Sequence, residues 1–386
     1  MKIVFYSVSV SQYGAPTSML NLIEGLSRFP EHELVVVVPR HGPLTESLKG
    51  LNVRILRIPH YKWIYKDRYF QKLRQQSGVL AWIWFYKNAF QKFFFNLIFL
   101  PLHLLHVKKV LPDLIYVNAS MGPMGIFVAR ILNIRAVWHH REPVNDPDTD
   151  FYIEWNARLW GRVINWPSVR IYNSRFLKGM YEHLPTRPFR GKSYIVYNGV
   201  PASTAVAPRE DERVVFGMVG KVEQGLRKGQ DEVLKLFSEL DRRDVVLKIY
   251  GSGEPTYVNH LKDKYPQREI YFCGFKRPAQ AYPEVDFLIM NSRNESFGRV
   301  VAEAYAYGVP VLALRSGALP EIVDEGRTGY LYENLGQLKQ LILNMVDVRA
   351  TQHYQELSDA CKEKYRDNFT IERYTQNIID VLSLKE

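Results

Sequence analysis

The chain has 386 residues, 46% hydrophobic, 24% charged and 13% aromatic. That is the composition of a folded protein long enough for two domains, and it excludes disordered, collagen-like and coiled-coil chains. The formal net charge is +11, and all of the excess lies in residues 1–200, which carry +14 against −3 for residues 201–386. Two cysteines far apart, Cys273 and Cys361, exclude a disulfide framework and point to a reducing compartment or to a chain that does not depend on bridges.

From Met1 the chain runs directly into a short apolar strand at residues 3–6, without the apolar core and cleavage site of a signal peptide, so a cytoplasmic protein is expected. The loop 11–17 follows, where Gly14 would let the backbone approach a ligand and a helix beginning at Thr17 or Ser18 would offer free N–H groups. A helix at 17–29 and strands at 34–38 and 53–58 come next. Residues 60–110 then hold nine basic side chains (Lys62, Lys66, Arg68, Lys72, Arg74, Lys87, Lys92, Lys108 and Lys109) against Asp67 alone, interleaved with Tyr61, Trp63, Tyr65, Tyr69 and Phe70. Such a segment suits an anionic partner: acidic lipid, lipid phosphate or nucleic acid.

Its most apolar run, residues 93–105, is interrupted by Asn96, Pro101 and His103 and falls short of the ~20 residues that span a bilayer, so it is not expected to cross one. Two readings stay open: a helix lying in a membrane interface with lysines at its flanks, or a buried helix of an α/β domain. Strands at 114–117, 136–139, 171–172 and 194–196 follow, with helices at 125–132 and 174–183. Their apolar runs are nearly continuous, which predicts parallel strands buried on both faces. The strand at 136–139 leads into Trp138-His139-His140-Arg141-Glu142; strand neighbours point to opposite faces, so one of the two histidines is expected to face a site. Asp146, Asp148 and Asp150 have a D-x-D spacing, read as a loop and helix start.

Small, Pro-bearing and charged residues at 201–213 mark a domain boundary. A second α/β series follows, with strands at 214–219, 246–250, 270–272, 287–290 and 311–313 and helices at 335–345 and 371–384. The expected organisation is a domain of residues 1–200 bearing the 60–110 insertion, a domain of residues 201–365, and a terminal helix within 366–386 packing back on the first domain. Ligands of such sheets bind beyond the carboxyl ends of strands. There the second domain carries Gly220, Lys221 and Lys228. After the strand at 287–290, Glu295 falls in a loop and Glu303 on a helix beginning near Gly298, flanking N–H groups that can bind phosphate. Each carboxylate could accept hydroxyls of a sugar or a ribose. The plainer alternative has Glu295 capping the helix and Glu303 solvated.

Glu295 and Glu303, with Ser296-Phe297-Gly298 and Gly308-Val309-Pro310-Val311 around them, resemble the E-x7-E motif of the retaining GT-B glycosyltransferases of family 4. Further similar motifs follow in order: Val219-Gly220-Lys221, Arg227-Lys228-Gly229, Tyr250-Gly251-Ser252-Gly253, Phe272-Cys273-Gly274, Ser316-Gly317-Ala318-Leu319-Pro320-Glu321 and Gly326-Arg327-Thr328-Gly329. In the first half, residues 138–142, Asn173-Ser174 and Asn198-Gly199-Val200 also match, so the resemblance covers nearly the whole chain. It implies an α/β fold of GT-B type, two Rossmann-like doubly wound domains facing a central cleft. The implied reaction moves a sugar from a nucleoside-diphosphate-sugar, UDP ahead of GDP, with retention, to a hydroxyl of a glycan or lipid-linked acceptor in cell-surface polysaccharide or glycolipid assembly. It needs neither metal nor a cofactor beyond the donor.

By the same resemblance, Lys221 and Lys228 hold the donor diphosphate, with Lys where Arg is common at 221 and a long loop between the two. Glu303 holds the ribose and Glu295 the hydroxyls of the donor sugar. Gly274 and Phe275 border the base. Gly14, followed by Ala15 where the family usually has a second glycine, Gly220, and the run Ser296, Phe297, Gly298, Arg299 and Val300 line the donor. His139 lies near the transferred sugar with His140 as its alternative, and Arg141 and Glu142 stand on the acceptor side as an orienting ion pair. The implied partners are a nucleotide-sugar and the acceptor, with no nucleic acid, and the charge of residues 60–110 adds the expectation of an anionic membrane surface on the cytoplasmic face. Rival readings are a nucleotide-sugar epimerase or phosphorylase on the same fold, and a membrane- or nucleic-acid-binding protein without catalysis; no helix-turn-helix or zinc-finger signature supports nucleic-acid binding.

Overall fold

Strand sequences such as Glu33-Leu-Val-Val-Val-Val38 have no polar face, and in the computed structural model they are buried on both sides. Residues 1–11, 14–62, 68–144, 157–184, 188–202, 212–225 and 227–384 are described. The chain divides into two units, Met1–Tyr197 with Tyr374–Glu386, and Asn198–Arg373. Of the residues singled out above, Trp63, Tyr65, Lys66, Asp67, the D-x-D segment at 146–150 and residues 203–211 of the expected linker lie outside the described ones, as do the side chains of Arg68 and Lys72.

The first unit is a parallel sheet of seven strands, β1 (Lys2–Ser7), β2 (Glu33–Val38), β3 (Arg54–Arg57), β4 (Leu114–Asn118), β5 (Arg135–His140), β6 (Val169–Tyr172) and β7 (Lys192–Ile195), in the order β3-β2-β1-β4-β5-β6-β7. Alternate residues feed two separate cores. Val4, Tyr6, Val35, Val37, Ile115 and Val117 face one, and Ile3, Phe5, Val36, Val38 and Tyr116 the other. Tyr374, Ile378, Val381 and Leu382 of the helix Ile371–Ser383 close the second core, and Arg135 donates to the carbonyl of Leu382 at 2.7 Å.

The second unit is a parallel sheet of β8 (Val214–Val219), β9 (Val245–Tyr250), β10 (Ile270–Gly274), β11 (Phe287–Met290), β12 (Val311–Leu314) and β13 (Gly329–Tyr332), ordered β10-β9-β8-β11-β12-β13. Two of its elements were not read from the sequence. β13 is short, opens on a glycine and is only partly buried, while the helix Gln352–Asn368 buries just Leu357, Ser358, Cys361 and Tyr365 of a mostly polar sequence.

The segment 93–105 requires a correction. It lies inside one helix, Gly78–Val110, of 33 residues, roughly 50 Å long at 1.5 Å per residue, so by length and composition it could cross a membrane. Asn96, Pro101 and His103 do not end the helix, so the apolar run continues beyond 93–105; its first turn is capped by Ser77, which accepts from the N–H of Leu80, and Lys108 and Lys109 complement its C-terminal dipole. It is not a buried core helix either, since only 17% of its most apolar window is covered. One face meets the protein: Ala81, Phe85 and Ala89 pack around Phe70, and His103 and Val107 are buried. Asn96 accepts from the Tyr61 N–H at 2.8 Å and returns a bond to the Tyr61 carbonyl at 3.2 Å. His103 Nε2 bonds the Pro59 carbonyl, while Tyr6 OH serves its Nδ1. On the other face Tyr86, Phe90, Phe93, Phe94, Leu97 and Leu105 are exposed.

Candidate functional site

Strand order reverses once in each sheet, between β1 and β4 in the first unit and between β8 and β11 in the second. Loops diverging at such a point leave a crevice at the strand ends, the usual ligand position of doubly wound sheets.

In the second unit the loops after β8 and β11 carry Gly220, Lys221 and Lys228, and Glu295. The first loop is fastened to the second at its base. Asn291 donates to the Gly229 carbonyl at 3.1 Å and to Glu232 at 2.8 Å, Tyr332 OH donates to Asn291 at 3.0 Å, and Arg293 forks onto Glu232 with bonds of 2.9 and 3.1 Å. The Arg293 N–H also meets the Arg227 carbonyl at 2.8 Å. Lys228 is thereby held with its Nζ 2.8 Å from Glu295 Oε2, the two side chains only 22% and 17% exposed.

The loop of Glu295 is pinned from its other side. Ala318 N–H donates to the Glu295 carbonyl at 2.8 Å, and Asn294 N–H to Ser316 Oγ at 3.0 Å. Gly317, at φ +60°, passes so close that a Cβ there would sit 2.5 Å from both the N and O of Glu295. Burial pushes the Glu295 carboxyl up, but the Lys228 ammonium, with help from Arg227 and the Gly298 N–H, outweighs it, so the net pKa lies below the usual carboxylate value. Glu295 thus stands as a fixed anion beside a fixed cation. It does not provide an Ncap side chain, for the helix Arg299–Ala306 starts at Gly298 in the left-handed region, φ 80°, with no side-chain cap. Val301 N–H turns back to the Gly298 carbonyl at 2.8 Å, while the N–H groups of Arg299 and Val300 have no partner among the described residues and can meet an anion.

Glu303 lies one turn into that helix. Rather than being solvated, its side chain is 14% exposed and pairs with Arg299 at 2.9 Å. Its second oxygen is 3.3 Å from Tyr282 OH, which is also 3.0 Å from the Val300 carbonyl. One phenolic proton cannot serve both acceptors, which leaves acceptor capacity at Glu303 for a ligand hydroxyl. The Phe297 ring is buried against Phe369. Lys221 is exposed and has no charged partner among the described residues, whereas its carbonyl is held by Gln230 at 2.8 Å. Gly274, at φ +66°, meets open space, and Phe275 beside it is 58% exposed. Ser296 and Val300 are partly buried at the helix start.

In the first unit His139 and His140 are both fully buried, so the alternation along the strand does not leave one of them on a surface. Arg141 donates to His139 Nδ1 at 3.2 Å, to Tyr374 OH at 2.6 Å and to Asn118 at 2.7 Å, and Tyr116 OH makes a short bond to the same Nδ1. A nitrogen that accepts from guanidinium carries no proton, so His139 is the Nε2–H tautomer; burial first, then Arg141 and His140, hold its pKa well below the ordinary value. Its Nε2–H has no partner among the described residues. His140 is packed between Tyr172 and Tyr181 and shares Ser120 Oγ with the latter's hydroxyl. The described residues hold no ion pair between Arg141 and Glu142. Glu142 instead accepts from the Ser120 N–H at 2.7 Å. Gly14, at φ 62°, precedes the helix Ala15–Leu26, which begins two residues earlier than expected.

Sequence reasoning did not assign Tyr116, Asn118, Tyr374, Glu232, Tyr282 or a clamping role for Gly317. Gly317 lay inside a quoted motif, so its position was visible and its contact was not; nothing local marks the others.

Residues 213–347 match the family described as glycosyl transferases group 1. The chain carries a domain of this family. The group 1 domain thus contains every loop of the second-unit site, from β8 through Lys228 and Glu295 to β13. Among curated relatives, the chain is 28% identical over 176 residues to a 41.2 kDa protein of the Klebsiella pneumoniae cps region, covering 43% of this chain and 46% of that protein. It is 28% identical over 164 residues to the N-acetyl-alpha-D-glucosaminyl L-malate synthase of Bacillus anthracis, covering 41% and 43%. The chain therefore spans less than half the length of these two relatives. Its architecture is similar throughout to Anabaena HepE, solved with UDP and glucose, with a TM-score of 0.74 at 19% identity and full coverage of both chains. The fold is GT-B.

Proposed function

We propose that this chain is a retaining glycosyltransferase that moves a sugar from a UDP-sugar to a hydroxyl of a glycan or lipid-linked acceptor in cell-surface polysaccharide or glycolipid assembly. The observation that carries this reading is the Lys228–Glu295 pair, fixed at the switch point of a group 1 domain beside the open start of the helix Arg299–Ala306. Breaking a sugar–phosphate bond builds negative charge on the departing diphosphate; Lys228 and the helix N–H groups are fixed positive charge that need not reorganise as it develops, and the exposed Lys221 adds a further cation. Glu295, kept ionised, accepts donor-sugar hydroxyls, and Glu303 accepts from ribose. The unpaired Nε2–H of neutral His139 is a buried donor for the transferred sugar. Retention and the same-face displacement follow from the family resemblance.

UDP should raise the melting temperature of the wild type, since it binds only the folded state, by an amount worth about 2.7 kcal/mol at a hundred times its Kd. Glu303→Ala should abolish most of that shift. A shift that survives the substitution would remove Glu303 from the ribose role, and no shift with any nucleotide would count against the whole reading. Incubation with donor alone separates the epimerase alternative, which would convert it without an acceptor.

The acceptor side belongs, on this reading, at the cytoplasmic face of an anionic membrane. The helix Gly78–Val110 exposes Phe90, Phe93, Phe94 and Leu97 with Lys87, Lys92, Lys108 and Lys109 on the same element, while its other face is committed to the protein. A helix so committed lies along the interface instead of crossing the bilayer. The protein should co-sediment at low salt with phosphatidylglycerol vesicles in preference to phosphatidylcholine, and Phe90→Glu with Phe94→Glu, two stacked exposed rings, should weaken that about tenfold or more. Equal binding to both vesicles would overturn the membrane reading.

A further inference from the structure

Two cavities adjoin at the switch point of the first unit. One, of about 240 Å³, is lined by Ser7 at the end of β1, Asn118 at the end of β4, and Glu142. The other, of about 490 Å³, reaches Arg40, and both share Ser9, Ser11 and Lys62. The pair is polarised. Among the described lining residues the only carboxylate is Glu142, at one end, and the cations are Arg40 at the other end and Lys62 between them.

Both cations are exposed, and neither has a charged partner among the described residues. Their backbones, in contrast, are fastened. The segment of Arg40 is drawn against the loop after β1 by the bond from Leu44 N–H to the Val10 carbonyl, 3.0 Å. Gly42 passes so near that a Cβ there would sit 2.4 Å from a Val10 methyl. Lys62 follows Tyr61, whose backbone is bonded in both directions to Asn96 on the long apolar helix. Two positive side chains without counter-ions among the described residues, on a fixed rim with serine hydroxyls between them, match a polyanionic group of small size. The carboxylate at the far end matches a sugar hydroxyl.

We propose that Arg40 and Lys62 form a subsite for a phosphate or diphosphate borne by the acceptor, whose sugar lies toward Asn118 and Glu142. This rests on the glycosyltransferase reading and adds a chemical requirement to it: the acceptor is anionic next to the sugar that is extended. The bond between Lys62's neighbour and the apolar helix makes a lipid-linked phosphate the favoured source, and a soluble sugar phosphate presents the same chemistry.

The test is calorimetric titration of the full chain at low salt with farnesyl diphosphate, glucose 1-phosphate and inorganic pyrophosphate, with UDP as the donor-site control. In the double variant Arg40→Gln/Lys62→Gln, affinity for the phosphate probes should fall at least about tenfold, because two charge-assisted contacts are lost, while UDP affinity stays within about twofold of the wild type. Tighter binding of farnesyl diphosphate than of the other probes assigns the lipid source, and equal binding of glucose 1-phosphate assigns the soluble one; both support the subsite. Unchanged affinities in the double variant, or no probe binding by a wild type that binds UDP, overturn it. Probe binding that is lost in the variant, from a protein that never binds UDP, leaves the subsite standing and removes the glycosyltransferase reading instead.

Discussion

Lys228→Ala should lower kcat for sugar transfer by about 10²–10³-fold, the usual effect of deleting one fixed group that stabilises developing negative charge. The ammonium sits 2.8 Å from Glu295 in a largely covered position, so removing it takes away the charge that the proposed reaction sets against the leaving diphosphate and leaves a covered carboxylate without its ammonium partner. Lys228→Arg should recover part of the rate, because charge returns with a different reach and fork. A second readout follows from Glu295. Its pKa is held below the ordinary value against burial mainly by Lys228. A carboxyl depressed in the folded state contributes stability above its unfolded pKa, about 4.3, and loses that contribution as pH falls through the lowered folded value. Without Lys228 burial dominates and the folded pKa rises, so the variant loses stability as pH climbs through the carboxylate range. The gap in Tm between wild type and Lys228→Ala should therefore widen from about pH 4 to pH 7. A pH-independent gap, or a rate within a few-fold of wild type, would show that the pair is ornamental.

Gly317→Ala should disable the same loop from a distance in sequence. The new Cβ would lie 2.5 Å from two backbone atoms of Glu295, at a φ of +60° that already disfavours a side chain. Backbone cannot swing aside as a flexible side chain does, so the loop at 294–298 must move and take the Glu295 carboxylate out of line with Lys228. Loss of at least about 2 kcal/mol is expected, read as a fall of roughly 4–8 °C in the melting of the second unit, with a raised KM for the donor-sugar. Gly14→Ala is the control: its φ is +62° but nothing lies within 4 Å of the new Cβ, so only the left-handed penalty of about 1–2 kcal/mol remains. If Gly317→Ala behaved like Gly14→Ala, the clamp on Glu295 would be wrong.

Much of the architecture was legible because it is written locally. Short runs of three to six residues placed five of the six second-unit strands, and β11 was read at residues 287–290 as it stands. β13 escaped because Gly329-Tyr330-Leu331-Tyr332 is a short run opening on a glycine, with no strand periodicity of its own, and only pairing with β12 makes it a strand. The long helix escaped for the opposite reason: the sequence interrupts its apolar run, but the contacts of Asn96 and His103 with residues 59–61 turn those interruptions into anchors. The histidines show the limit of the alternation rule, since helices or strands cover both faces of β5 and bury His139 and His140 alike.

By itself the sequence determined the two α/β series, the concentration of positive charge in the first half, and the ordered motifs that place carboxylates and lysines at strand ends. Tertiary structure alone decided which of those groups meet: Lys228 with Glu295 across 67 positions, Arg141 with Tyr374 across 233, and Gly317 against the backbone of the loop of Glu295. Periodicity and charge are properties of neighbours along the chain, whereas a pKa, an open acceptor or a steric clamp depends on what folding brings within a few ångströms.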